Sequence, residues 1–313
     1  MKLTIVGAGQ VGSQATMFCA QQGINEIVLL DNDPDRAKGK ALDISQASAM
    51  AGHSCRVTGT DDYALTQKSD IAVITAGLAR RPGMSRSDLL KVNAKIIAET
   101  SRQIVAHSPE TLLVIVTNPV NITVQLAQYY SELPYQRVIG MSGVLDSARF
   151  RALLAEQCNM PAAHIEAMVI GDHGDYMVPL ISHAKIGDQP LSKVLADDEL
   201  NAIVARVQQG GTEIVNLLKS GSAFFAPGLA VAHMVKALQA AEPTLMPCAA
   251  YLRGEYGEEG IYMGAPTWLS NSGMTGVEVL PLSGNERRLF EKSAIHIRSQ
   301  LKDIAQELGI SFG

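Results

Sequence analysis

The chain is short of cysteines, of basic residues and of long apolar runs, and each shortage excludes a class of protein. Its four cysteines, Cys19, Cys55, Cys158 and Cys248, are widely spaced with no Cys-x-x-Cys pair. That argues against a disulfide frame or a zinc site, and for reduced thiols inside the cell. No apolar run approaches the ~18 residues needed to span a membrane. Lys and Arg (26) are outnumbered by Asp and Glu (31), with no basic block, so a nucleic-acid partner is not expected. Lys2 leads straight into an apolar strand, unlike a cleaved signal. A cytoplasmic protein without membrane or metal is the expectation.

What remains is a chain able to build large cores. With 313 residues, 47% of them hydrophobic and 18% charged, about two domains of roughly 150 residues each are expected. The net charge is -5, so an anionic ligand must be met by a local basic cluster.

Leu3 to Val6 forms a short β-branched run that ends in Gly7-Ala8-Gly9-Gln10-Val11-Gly12, and Ala15, Phe18 and Cys19 then recur at helical spacing. This is a strand, a G-x-G-x-x-G turn and a helix. Gly7 permits the turn, Gly9 lets a pyrophosphate approach the backbone, and Gly12 allows close helix–strand packing; the helix N-terminus attracts the phosphates. A second strand, Glu26 to Leu30, ends in Asp31. There a carboxylate suits the adenosine ribose hydroxyls and repels a 2′-phosphate, which points to NAD. The bland alternative, a turn residue or helix cap, is weakened because Asp33-Pro34 already supplies a cap.

A short strand is expected around Arg56 to Thr58 and buried strands at Ile71 to Thr75 and Leu112 to Val116, with helices at Pro34 to Met50 and Ser87 to His107. Continuous apolar strands alternating with amphipathic helices predict an α/β fold, a Rossmann-type doubly wound parallel sheet. Ligands sit beyond the carboxyl ends of such strands, where Asp31, Gly77 and Asn118 fall. Asn118 is either a turn-former before Pro119 or an amide that orients substrate or nicotinamide. After Gly77, Arg80-Arg81-Pro82-Gly83-Met84-Ser85-Arg86 puts three arginines in seven residues. This is either a solvated loop or a lid carrying side chains suited to bidentate carboxylate recognition.

Strict alternation fades at Gly140-Met141-Ser142-Gly143, so a cofactor domain is placed at 1–142 and an α+β substrate domain at 143–313. In the second, a helix from Val144 puts Asp146 and Arg149 on one face. They form either a local ion pair or the partner of a base and a carboxylate fork. Ala167 to Ile170 reads as a strand running into Gly171-Asp172-His173-Gly174-Asp175, where His173 is placed to act as an acid/base group. Helices are expected at Asp198 to Gln209, Thr212 to Lys219, Pro227 to Ala241 and Asn285 to Leu308. Strands are expected at Met246 to Leu252, Gly260 to Pro266 and Gly276 to Leu282. The other six histidines, including His296, show no clustering and are taken as structural or surface groups.

These motifs, with Thr117-Asn118-Pro119 and Val144-Leu145-Asp146-Ser147-Ala148-Arg149, resemble the lactate/malate dehydrogenase family in content and order over essentially the whole chain. The likeness is greatest to malate dehydrogenases that are close in sequence to lactate dehydrogenases. It implies that His173 donates and accepts the proton, Asp146 is its carboxylate partner, and Arg149 binds the substrate's C1 carboxylate. Arg86 would polarise the reacting carbonyl, and Asn118 would sit beside nicotinamide and substrate. Gly7, Gly9, Gln10, Val11, Gly12, Asp31, Asn93 and Asn118 would bind NAD. Arg80 resembles the malate enzymes, where lactate enzymes usually carry glutamine. Arg81 stands where lysine is frequent and Asp172 where glycine or glutamate is usual. A homodimer or homotetramer acting on malate and oxaloacetate is implied. The rival expectations are a lactate or broad-range 2-hydroxy acid dehydrogenase, and a non-catalytic NAD(H) sensor.

Overall fold

The computed structural model describes residues 1–78 and 86–312, with backbone alone for Arg86 and Ser87. The first half alternates strand and helix: β1 (Lys2–Val6), α1 (Gln10–Gln21), β2 (Glu26–Leu30), α2 (Pro34–Met50), β3 (Arg56–Thr60), β4 (Ile71–Ile74), α3 (Arg86–His107), β5 (Leu112–Ile115), α4 (Val120–Ser131) and β6 (Val138–Gly140). These strands pair in parallel in the order β3-β2-β1-β4-β5-β6. Every residue of β4 and β5 is buried, because helices cover both faces of a sheet built from crossovers. The order reverses between β1 and β4, which opens a crevice at the carboxyl ends of these strands.

The second half comprises α5 (Gly143–Cys158), β7 (Ile165–Glu166), β8 (Val169–Gly171), β9 (Met177–Pro179), β10 (Lys185–Ile186), β11 (Gln189–Pro190), α6 (Leu191–Val194), α7 (Asp197–Leu218), α8 (Phe225–Ala237), β12 (Thr244–Arg253), β13 (Glu259–Ser270), β14 (Gly273–Val277) and α9 (Gly284–Leu308). It continues the first sheet. β12 joins β6 where Ala249 lies opposite Gly140, and β13, β8 and β9 follow antiparallel. A Cβ on Gly140 would lie 2.8 Å from the Cβ of Ala249, so the junction requires a glycine. β7, β10 and β11 form a separate small sheet.

The core lies on both faces of the long sheet. On one side Ala15 and Cys19 of α1 meet Val231, Met234 and Val235 of α8. On the other, Ile97 and Ile104 of α3 and Ile122 and Leu126 of α4 join Phe290 and Ile297 of α9. Each large aliphatic or aromatic side chain buried here contributes roughly 1.5–3 kcal/mol. A third cluster, with Phe150 and Leu154 of α5 and Leu200, Ile203 and Val207 of α7, fixes the helix that carries Asp146 and Arg149.

Two expectations are corrected. The strand expected at Gly276 to Leu282 lies earlier, as β14 (Gly273–Val277), and ends before Pro281, which has no N–H to give to a ladder. The two helices expected at Asp198 to Gln209 and Thr212 to Lys219 form a single helix, α7, which runs through Gly210-Gly211. A Cβ on Gly210 would lie 3.3 Å from Cδ of Arg149. The glycines therefore admit the arginine stem, and that packing offsets their low helix propensity of about 1 kcal/mol each. At the other end, α9 is capped by Ser283 and Glu286, whose carboxylate also accepts from the Ser182 backbone N–H (2.9 Å) and hydroxyl (2.6 Å). Burial raises the Glu286 pKa, but these donors outweigh it and leave the carboxyl below the usual glutamate value.

Candidate active site

The turn after β1 forms one wall of the crevice. Gly7 has φ of +105°, a region that strains residues with a side chain. Thr75 donates from its hydroxyl to the carbonyls of Val6 (2.9 Å) and Gly7 (3.1 Å), locking the turn to the end of β4. A Cβ on Gly12 would fall 1.8 Å from the Gly7 carbonyl oxygen, whereas one on Gly9 would meet nothing within 4 Å. Gly12 thus lets α1 seat against the turn, and Gly9 borders open space. α1 begins at Gln10 with no side-chain cap, so the first amides of the helix, at Gln10, Val11 and Gly12, are free of a competing cap and available to an anion. An uncapped helix end facing room for a pyrophosphate fits a dinucleotide.

Asp31 ends β2 at the same edge and is 8% exposed. Its Oδ2 accepts from the Ala8 backbone N–H at 2.6 Å, and its Oδ1 from the Asp33 N–H (3.0 Å) and the Arg36 guanidinium (2.8 Å). The carboxylate is therefore tied to the glycine turn itself. Asn93, on α3, is buried, and its amide is occupied by backbone. Its Nδ2 donates to the Asn118 carbonyl at 2.8 Å, and its Oδ1 accepts from the Leu78 N–H at 2.8 Å. It ties together the segments that leave the neighbouring strands β4 and β5, on one side of the crevice. The Asn118 side chain itself is exposed there.

The candidate acid/base group comes from the second half. β8 delivers His173 through a turn flanked by Gly171 (φ +85°) and Gly174 (φ +136°). Its Nδ1 lies 2.7 Å from Oδ2 of Asp146, which is 1% exposed. The other Asp146 oxygen accepts from Nη1 of Arg149 at 3.3 Å. Burial disfavours the charged imidazole. The charge and hydrogen bond of Asp146, with Asp172 behind them, outweigh that and the repulsion of Arg149, so the His173 pKa is raised. Since Nδ1 is engaged, Nε2 is the atom left for proton exchange. Arg80 and Arg81 lie outside the described residues, as does the Arg86 side chain.

A model for the NAD binding domain of lactate/malate dehydrogenases matches residues 1–140, and one for their alpha/beta C-terminal domain matches residues 143–308. The chain belongs to the lactate/malate dehydrogenase family. It is 43% identical to a malate dehydrogenase of Desulforudis audaxviator, over 97% of this chain and 98% of that one. Its fold is similar to that of a malate dehydrogenase from Salinibacter ruber, with a TM-score of 0.93, 37% identity and coverage of 99% of this chain and 100% of that one. It is also similar to a minor L-lactate dehydrogenase from Enterococcus mundtii, with a TM-score of 0.91, 30% identity and coverage of 97% and 98%. As a family member, the chain is an NAD-dependent oxidoreductase with a Rossmann-like cofactor domain.

The geometry adds partners that sequence reasoning missed. Arg36 pairs with Asp31, and its place in the first turn of α2 was the available signal. His296, expected to stand apart, has Nε2 3.8 Å from Oδ2 of Asp172 and stacks on Tyr176 at 4.2 Å. No local pattern links residues so distant in sequence. Asn121 also donates to Asp172 Oδ1 at 2.7 Å. Among the described residues no helix is long and apolar enough to cross a membrane.

Proposed function

We propose that this dehydrogenase interconverts malate and oxaloacetate, with residues 1–142 holding NAD and residues 143–313 supplying the substrate machinery. The 2.7 Å pairing of His173 with buried Asp146, with Arg149 on the next turn, carries the proposal. A sensor has no use for an imidazole oriented by a carboxylate beside a guanidinium. Bound NADH supplies the hydride for the substrate's carbonyl carbon. Arg149 forks onto the C1 carboxylate and Arg80 onto the C4 carboxylate. Arg86 stabilises the charge growing on the carbonyl oxygen. His173 in its charged form gives that oxygen a proton, and Asp146 stabilises the imidazolium without taking the proton. Asn118, at the end of β5, orients substrate and nicotinamide. Relatives that act on lactate share this fold, so the choice of dicarboxylate rests on Arg80. A homodimer or homotetramer in the cytoplasm accords with the exposed apolar side chains of Leu42 and Met50 on α2 and Phe225 and Leu229 on α8.

The test is the pH dependence in both directions. Reduction needs His173 charged and oxidation needs it neutral. A raised pKa keeps the charged form to higher pH, so reduction should fall, and oxidation rise, as pH climbs through it. His173→Asn should lower both by roughly 10²–10⁴-fold while NADH binding, followed by fluorescence titration, stays intact. Near-wild-type turnover in that variant would move the acid/base role elsewhere.

A further inference from the structure

His173 has a second carboxylate neighbour besides Asp146. Asp172 is 13% exposed at its side chain, and three elements converge on it. Its Oδ1 accepts from the His173 backbone N–H at 2.9 Å and from Nδ2 of Asn121 on α4 at 2.7 Å. Its Oδ2 lies 3.8 Å from Nε2 of His296 on α9, and its own N–H donates to Oγ of Ser293, also on α9, at 2.6 Å. Tyr176 stacks on the His296 ring and holds it there, with ring planes 24° apart. A carboxylate in so enclosed a place would be cheaper for the fold as an amide or a serine, because burial costs charge far more than it costs neutral polarity. Nothing in the local hydrogen bonding requires the charge, since an asparagine Oδ1 would accept the same two bonds.

We propose that Asp172 is a positioning residue whose charge, held between α4 and α9, acts through His173 to set the pH range over which the enzyme reduces its substrate. The inference rests on His173 being the acid/base group. The groups facing Asp172 are His173 on its own loop, His296 and Ser293 from α9, and Asn121 from α4. Only the two histidines among them can carry charge, each only when protonated. The groups facing His173 from α5 are Asp146 and Arg149. Asp172 and Asp146 thus favour the imidazolium, and Arg149 opposes it. Burial raises the Asp172 carboxyl itself, while His296, His173 and the Asn121 bond pull the other way. Burial is the larger effect and leaves the Asp172 pKa raised, and these partners offset part of it, which favours the anion over what desolvation alone would allow.

Asp172→Asn separates the charge from the clip, because it keeps the hydrogen-bond acceptor and removes only the ionisation. The measurement is kcat/KM for oxaloacetate reduction across pH, for wild type, Asp172→Asn and Asp172→Ser. Both variants should match wild type on the acid plateau and be about three- to tenfold slower on the alkaline limb, a displacement of that limb to lower pH. A loss uniform across pH, or superposable profiles, would overturn the proposal, because a merely structural clip has no reason to move the limb. A second arm needs no substrate. In protein labelled with ¹³C at histidine Cε1, the His173 resonance, assigned by its absence in His173→Asn, should titrate at lower pH in Asp172→Asn than in wild type. An unchanged titration overturns the inference even if the activity assay is silent. Failure of wild type to reduce oxaloacetate would instead count against the proposed substrate.

Discussion

Asp31 accepts three hydrogen bonds from the protein itself, from Ala8, Asp33 and Arg36. Its position is therefore set by the glycine turn, and the carboxylate is held rigid where a ribose diol would arrive. The Arg36 guanidinium, 47% exposed at its side chain, offsets part of the Asp31 charge. It would become free if Asp31 were removed. NADH should be preferred over NADPH, because like charges forced together cost several kcal/mol. Asp31→Ser should narrow that gap from both sides, relieving the repulsion and releasing Arg36 for a 2′-phosphate. The check is kcat/KM with both cofactors at saturating keto acid. Equal values in the wild type would contradict the role assigned to Asp31.

At the scale of elements, the turn between β1 and α1 separates two uses of glycine. Gly12 is pressed against the Gly7 carbonyl, while Gly9 borders open space. Gly12→Ala should push α1 from its seat and destabilise the fold by about 1–3 kcal/mol, seen as a lower melting temperature. Gly9→Ala should leave the melting temperature of the free protein nearly unchanged and weaken NADH binding, since its methyl group would take up space a pyrophosphate needs. If Gly9→Ala bound NADH as tightly as wild type, the pyrophosphate would have to lie elsewhere. The parallel strands and this turn were legible in the sequence because both are written locally, as apolar runs and as glycine spacing. The unbroken course of α7 was not, since Gly210-Gly211 reads as a helix stop until Arg149 is seen against it. Nor were the duties of Asn93 and His296, whose partners lie far away in the chain: Asn118 for the first and Asp172 for the second.

Over the whole molecule, one sheet runs through both halves, from β3 at one edge to β9 at the other. The crevice at the switch between β1 and β4 belongs to the first half, and His173, Asp146 and Arg149 belong to the second. α8 packs on α1 and α9 on α3 and α4 through shared cores, so the glycine turn and the His173–Asp146 pair are held by a common framework. The fold and the His173–Asp146 pairing followed from motif order. The choice of substrate did not: the proposal rests it on Arg80, which lies outside the described residues, and malate and lactate dehydrogenases alike are similar to this chain in fold. The most direct measurement is therefore kcat/KM for NADH-dependent reduction of oxaloacetate and of pyruvate, for wild type and Arg80→Gln. An unpaired buried charge costs about 2–5 kcal/mol, so oxaloacetate should be favoured by roughly 30- to several-thousand-fold in the wild type. Arg80→Gln should lose most of that preference. A wild type that reduced pyruvate as well as oxaloacetate, or an Arg80→Gln variant with the preference intact, would contradict the account.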